Sequence, residues 1–317
     1  MAVEKISVDL HTHLNERRIK PKHYWTAVLE KGLNAVAITE HVECKPKSAF
    51  EKLLATKPDD VVLIPGMELN TSAGHVLAYG KDESIFGISE LLKKGIHIKR
   101  VLELSKQNDF LVSFAHPWGF SHDSAYYKLG LKKLTKTIRE HGAGVEVFNG
   151  MIWQLGEFVY SSDWIRKPIN FFDFLERNSV SRKIRLSVLG AKAKKKLSTK
   201  TWEIVTRNAY AIELGKHARF VTAGSDAHSP DRIGSGILIL KVNEDWQNPE
   251  KVLSLLLEKE RIVWSGPFVV ETAPGKLEKI SSPLRRGEIF SGIGYATAKK
   301  INPRNIGKTI AEKIKKG

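Results

Sequence analysis

Residues 6–13 read "ISVDLHTH", and this stretch decides how the rest of the chain is read. Ile6, Val8 and Leu10 alternate with Ser7, Asp9 and His11. A period of two is the signature of a strand, and it puts His11 and His13 on the same face. One histidine at a strand end is more often a hydrogen-bonded structural residue than a ligand. Two imidazoles aimed at one point raise the question of a metal ion, and the remaining strand ends have to answer it.

Apolar runs of strand length alternate with helical spacing along the chain. Strands are expected at 5–10, 34–39, 61–69, 75–80, 110–115, 143–148, 219–225, 236–240 and 262–266. Helices are expected at 23–32, 48–56, 87–94, 98–108, 126–141, 201–214 and 249–261, with helical pieces carrying a basic face near 180–200. This alternation predicts an α/β fold, a mainly parallel sheet or barrel with crossover helices. The segment 267–317 changes character, with turn residues and then a basic amphipathic end, and reads as an extension packed on the barrel. Its "GIGYA" (292–296) follows no convincing strand, so a phosphate loop is not expected there.

At 317 residues the chain fits a single α/β barrel. No apolar run approaches the ~18 residues of a membrane span, so no membrane partner is expected. The N-terminus lacks a signal-peptide pattern, and the single cysteine, Cys44, excludes an internal disulfide framework. A cytoplasmic location is the expectation. The formal charge is +16, and it is concentrated. Residues 151–200 hold 11 Lys+Arg against 4 Asp+Glu, residues 276–317 hold 11 against 3, and the other 225 are nearly balanced at 29 against 28. Such segments attract polyanions, nucleic acid among them, although a basic run is also what a solvated helix face looks like.

The histidines and carboxylates fall at the strand ends. His11 and His13 close the first strand, Glu40 and His41 the second, and Glu68 the third. His75 opens the next, His116 follows the fifth, Glu146 lies in "GVEVFNG", and Asp226 and His228 follow "FVTAGS" with the same i, i+2 spacing. The C-terminal rim of a barrel gathers such ends into one site. Buried without counter-charge, these groups would repel or neutralise one another, and bound cations remove that problem. Imidazole and carboxylate together suit Zn, Mn or Fe without any thiolate.

Taken in order, "DLHTH", "AITEH", "GMELNTSAGH", "AHP", "GVEVFNG" and "GSDAHSP" resemble the motifs of the PHP (polymerase and histidinol phosphatase) family, over about residues 5–266. The resemblance implies a distorted (β/α)7 TIM-like barrel, here with a basic, largely helical insertion at about 151–200 and the C-terminal extension. It also implies two or three divalent transition-metal ions and hydrolysis of a phosphate ester by a metal-activated water. By motif, His11, His13 and Asp226 resemble the ligands of one metal, bridged by Glu68 to a second that His116 and Glu146 complete. His41 and His228 resemble ligands of a third. His75 resembles a residue that touches the substrate phosphate or donates a proton, and His228 is a second candidate for that acid.

The chain departs from the family pattern twice. The loop after "HTH" has no Asp, and Glu16 is the carboxylate available to the third metal. "TEH" replaces the commoner Asp-His, which suggests that Glu40 supports a ligand from behind. Arg17, Arg18 and His122 are candidates for substrate contact. The expected substrate is a phosphomonoester of a small molecule or nucleotide. A nuclease or phosphodiesterase acting on DNA or RNA through the two basic segments is the alternative, and a non-catalytic nucleic-acid-binding module is the third reading.

Overall fold

The computed structural model describes residues 4–120, 123–161, 207–242, 245–258, 262–265, 269–273 and 276–279, with scattered positions between 167 and 195. The chain divides into two units, Met1–Ser281 and Ser282–Gly317, and everything described belongs to the first.

Strand β1 (Glu4–Thr12) is followed by α1 (Pro21–Glu30), β2 (Ala35–Ile38) and α2 (Pro46–Leu54). Then come β3 (Val62–Thr71), β4 (Gly74–Tyr79), α3 (Ile98–Asn108), β5 (Leu111–Phe114), α4 (Ala125–His141), β6 (Gly144–Asn149) and α5 (Gly150–Ser161). The chain continues through α6 (Arg207–Gly215), β7 (Val221–Gly224), β8 (Ile237–Val242), α7 (Pro249–Leu255), β9 (Ile262–Ser265), β10 (Val269–Ala273) and β11 (Lys276–Lys279). Helices α1 and α2 both start on a proline, whose fixed φ and missing N–H suit the first helical position. Each buries one face: Tyr24, Trp25, Ala27 and Val28 on α1, and Ala49, Phe50 and Leu53 on α2.

One sheet runs in the order β11-β10-β9-β8-β1-β2-β3-β4-β5-β6-β7. β1, β2 and β3 are parallel, β4 is antiparallel to both neighbours, and β5, β6 and β7 are parallel again. Strands β1 to β8 form a nearly closed, TIM-like barrel. Two hydrogen bonds link the far edge back to β1: Asp226 N donates to His11 O (2.7 Å) and His13 N to Ala227 O (3.2 Å). Gly224 permits this approach, because a Cβ there would collide with Cβ of His11. β8 meanwhile pairs antiparallel with the first half of β1. Strands β2 and β6 are buried along their whole length, as expected where helices cover the outside, while β8 alternates buried and partly exposed residues.

Most expected elements are observed. Residues 87–94 are not a helix: a 3-10 turn at Glu83–Gly87 is followed by irregular turns. Just past that stretch Gly95 turns the chain at φ +74. The sheet is less parallel than its alternation suggests. "GMELNTSAGHVLAY" folds as a hairpin, because Gly74 at φ +96 turns the chain after only two residues. Most of the basic stretch near 180–200, residues 201–206, "GIGYA" and most of the C-terminal extension lie outside the described residues. The part of that extension that is described forms β10 and β11.

Candidate metal centre

The C-terminal ends of β1, β2, β3, β5, β6 and β7 bring the expected residues to one place. His11 and His13 point inward from β1 and are fully buried. His11 Nε2 lies 3.5 Å from Glu68 Oε2 and 3.6 Å from Asp226 Oδ1. His13 Nε2 lies 3.6 and 3.3 Å from the same two oxygens. Donors that share one ion with bonds of ~2.0–2.1 Å stand roughly 3–4 Å apart. His11, His13 and Asp226 form one such set, their donor atoms all within 4.8 Å of one another, and Glu68 adjoins both imidazoles. Neither Nε2 has a hydrogen-bond partner, although both are buried. Buried lone pairs without a partner, at ligand spacing, fit a divalent cation.

Glu68 is the hub. Its Oε1 lies 2.8 Å from His75 Nδ1 and 3.0 Å from His116 Nε2, and its Oε2 lies 3.2 Å from His41 Nδ1. A third group gathers at the solvent side: Glu16 Oε2 is 2.9 Å from His228 Nε2 and 3.6 Å from His41 Nε2. His13 with His41 and His228, and His41 with Glu68 and His75, are further sets whose donor atoms lie within 4.8 Å of one another. The side chains of His75, His41 and His228 are 13, 16 and 18% exposed against 0% for His11 and His13, so the centre opens to solvent on their side.

A layer of polar contacts orients these groups. Glu146 Oε1 accepts from His11 Nδ1 (2.9 Å), and its Oε2 accepts from His116 N (2.6 Å) and Asn149 Nδ2 (3.1 Å). Both of its oxygens are therefore engaged. With Nδ1 donating to Glu146, His11 turns its Nε2 lone pair toward Glu68 and Asp226. His228 is set the same way, Nδ1 donating to the Asp226 carbonyl (2.9 Å). Asn149 Nδ2 also donates to Asp226 Oδ2 (3.2 Å). Glu40 accepts from the N–H groups of Leu14 and Asn15 through Oε2, and its Oε1 lies 3.5 Å from His13 Nδ1. This pins the loop after "HTH" and places a carboxylate behind a ligand. His116 and Asp226 sit at positive φ, +25° and +53°, directly after their strands. Strain of that kind persists where surroundings over-determine it, commonly at functional sites.

The electrostatics show a demand for cations. Burial would raise the carboxyls of Glu68 and Asp226, but the surrounding imidazoles hold both well below the usual range. Burial opposes charge on His13, yet Asp226 and Glu40 push it up to about 10. For His116, Glu68 and Asp123 outweigh burial and push it up to about 9. His41, buried and close to His13 and His75, is pushed down to about 4. The buried carboxylates thus favour positive charge among the inner imidazoles, the charge that divalent ions would supply.

Arg17 and Arg18 are exposed on the loop after β1, with Arg18 at φ +54°. His122 lies outside the described residues. Away from the centre, His97 caps α3 through Lys99 N, and His217 accepts from Arg139. Reading by residue type overlooked Asn149, although it lies inside the quoted "GVEVFNG". It also passed over Asp9, two residues before His11 on the same strand face.

No protein-family model and no curated protein matches the chain. Among solved structures it is similar to a two-domain protein from Bacteroides vulgatus ATCC 8482 that contains a predicted PHP-like metal-dependent phosphoesterase. The TM-score is 0.56 at 16% identity, covering 89% of this chain and 73% of that one. A second similar structure is PsfC from Pseudomonas syringae PB-5123, with TM-score 0.45, 14% identity, and 80% and 96% coverage. The likeness shows the fold, a TIM-like barrel, and within that fold the His, Glu and Asp clusters stand at spacings that could hold divalent metal ions.

Proposed function

We propose that the protein is a metal-dependent phosphoesterase that hydrolyses a phosphomonoester of a small molecule or nucleotide. The observation that carries this reading is the buried set of His11, His13 and Asp226, with two orphaned Nε2 atoms that lie 3.5 and 3.6 Å from Glu68 Oε2. Glu68 would bridge to a second ion, with His116 and His75 at its other oxygen, and His41, His228 and Glu16 would hold a third at the open side. When bound, divalent Zn, Mn or Fe supplies Lewis acidity toward phosphoryl oxygens and acidifies a water.

The protein's own part is to hold the donors and keep the inner ones dry. Glu146, Asn149 and Glu40 fix ring and carboxylate orientations, so the donors are preorganised. His75 and His228 border the opening; His75 is placed to carry a proton to the leaving oxygen, whereas His228 has Nδ1 on the Asp226 carbonyl and Nε2 turned to Glu16. Arg17 and Arg18 lie on the loop that carries Glu16, within the chain segment that borders the opening.

A panel of phosphorylated small molecules, nucleotides and single-stranded oligonucleotides, each with Mn, Zn and Mg, tests the proposal. Metal-dependent release of phosphate is expected. Purified protein that holds under one equivalent of transition metal, and is unmoved by added Mn or Zn, would sink it. The uneven charge of the sequence supports nuclease action as the second reading. That reading fails if oligonucleotide binding shows no salt-dependent affinity near physiological ionic strength.

A further inference from the structure

A row of aromatic rings runs between α4 and α6, and the metal centre does not use it. Trp118 lies two residues after His116, on the loop that leaves β5. Its ring stacks on Tyr126 (5.0 Å between centroids) and packs on Tyr210 of α6 (5.6 Å), and Tyr126 meets Tyr127 edge to face (5.2 Å). The middle of the row is covered, with Trp118 only 7% exposed. Its two ends are open, with Tyr127 36% and Tyr210 43% exposed. Rings held in place by packing and open at the ends of a row offer flat faces for stacking.

Unmatched positive charge follows the row along α4. Gly130 breaks that helix at φ +72°, so Lys128 stands before the break and Leu131, Lys132 and Lys133 open the second piece. All four are exposed, Leu131 by 53%. None of the three lysines has a carboxylate partner among the described residues, whereas Lys136, further along, has Glu140 at 3.6 Å. Row and helix are anchored to the loop of the metal centre. Tyr126 N donates to the carbonyl of Pro117 (3.0 Å), the residue after His116, and Asp123 O accepts from His75 N (2.7 Å).

Open tyrosine faces beside unpaired lysines match a chain in which flat rings alternate with phosphates. Bases stack on the rings, and the lysines displace counterions from the phosphates. A duplex hides the faces of its bases, and a lipid headgroup has no flat ring to stack. We propose that Tyr127, Tyr210, Lys128, Lys132 and Lys133 bind single-stranded nucleic acid. This surface is separate from the basic segments at 151–200 and 276–317. Binding stands without the phosphoesterase reading; cleavage of the bound strand rests on it.

The test uses Mn-loaded full-length protein and a fluorescein-labelled, twelve-nucleotide single strand of DNA with phosphorothioate linkages, which resist cleavage. Anisotropy is read across a series of KCl concentrations. The triple change Lys128→Gln, Lys132→Gln and Lys133→Gln is expected to weaken binding at least ten-fold and to make the salt slope shallower by about 2, for three phosphate contacts. Tyr210→Ala is expected to lose roughly five- to hundred-fold with the slope unchanged, and Tyr210→Phe to bind as wild type. No binding by the wild-type protein, or wild-type affinity in the lysine variant or in folded Tyr210→Ala, overturns the proposal. Should Tyr210→Ala not fold, the exposed lysines decide. Equal affinity for the matching duplex, or binding to phosphatidylserine vesicles alone, also overturns it. His13→Ala is expected to bind the strand as wild type, and loss of binding there with none in the lysine variant would move the strand to the metal centre and overturn the surface. Strand binding by a protein that cleaves no ester leaves the surface standing and removes the phosphoesterase. Phosphate release from a small monoester without strand binding does the reverse.

Discussion

Asp9 and Glu68 are both buried carboxylates on barrel strands, and their surroundings are opposites. Asp9 Oδ1 accepts from Ser225 N (2.9 Å) and His11 N (3.2 Å), and its Oδ2 accepts from Gly234 N (2.8 Å). Burial pushes its carboxyl up to about 6, against the pull of those three N–H groups. It is satisfied by main chain and ties β1 to the segments after β7. Glu68 meets imidazoles, at 2.8 to 3.6 Å, from His11, His13, His41, His75 and His116. One carboxylate is completed by the fold, and the other is completed only when positive charge is brought in. Burial alone therefore does not mark a functional carboxylate; the chemistry of its partners does.

The same isosteric change at both positions should separate them. Glu68→Gln has the largest expected effect, a loss of about a thousand-fold or more in turnover with at least one metal equivalent missing. His13→Ala should behave alike, with the circular dichroism spectrum preserved. Activity retained in either variant would contradict the assigned centre. Next in size is metal removal. At a free-metal concentration of ~100 Kd the bound ion adds about 2.7 kcal/mol, so chelation should lower the melting temperature by several degrees. An unchanged melt after chelation would mean that the orphaned Nε2 atoms bind nothing.

Asp9→Asn should act on stability instead. The amide NH2 faces a backbone N–H where a carboxylate oxygen stood, at a cost of about 2 kcal/mol. Metal content should stay near wild type, and a protein that loses metal but melts normally would erase the distinction drawn between the two carboxylates. Smallest is Glu40→Gln, which keeps an acceptor for Leu14 N and Asn15 N but removes the charge behind His13. Roughly ten-fold weaker metal binding is expected in a calorimetric titration, and no change would reduce Glu40 to a loop anchor.

Much of the centre was legible because strand ends advertise themselves. Ile6, Val8 and Leu10 mark the strand, and the change from apolar residues to His, Glu and Asp marks where it ends. The i, i+2 spacing in "HTH" and "DAH" carries side-chain direction, a property of local backbone geometry. The supporting residues were less visible. Asn149 and Asp9 are ordinary polar residues, and their roles come from partners up to 77 and 225 positions away. Glu16 is intermediate: its loop pointed to it, but only the fold places its carboxylate between His228 and His41.

The sequence by itself determined the donor types, their places at successive strand ends, and the α/β alternation that makes such ends converge. These follow from period, polarity and local backbone direction. Only the tertiary structure decided that "GMELNTSAGH" turns back as a hairpin, so that His75 returns to Glu68. It also decided that both oxygens of Glu146 are engaged. The physical reason is the same in each case: a hydrogen bond or an ion shell is completed by atoms that share a place and not a stretch of chain.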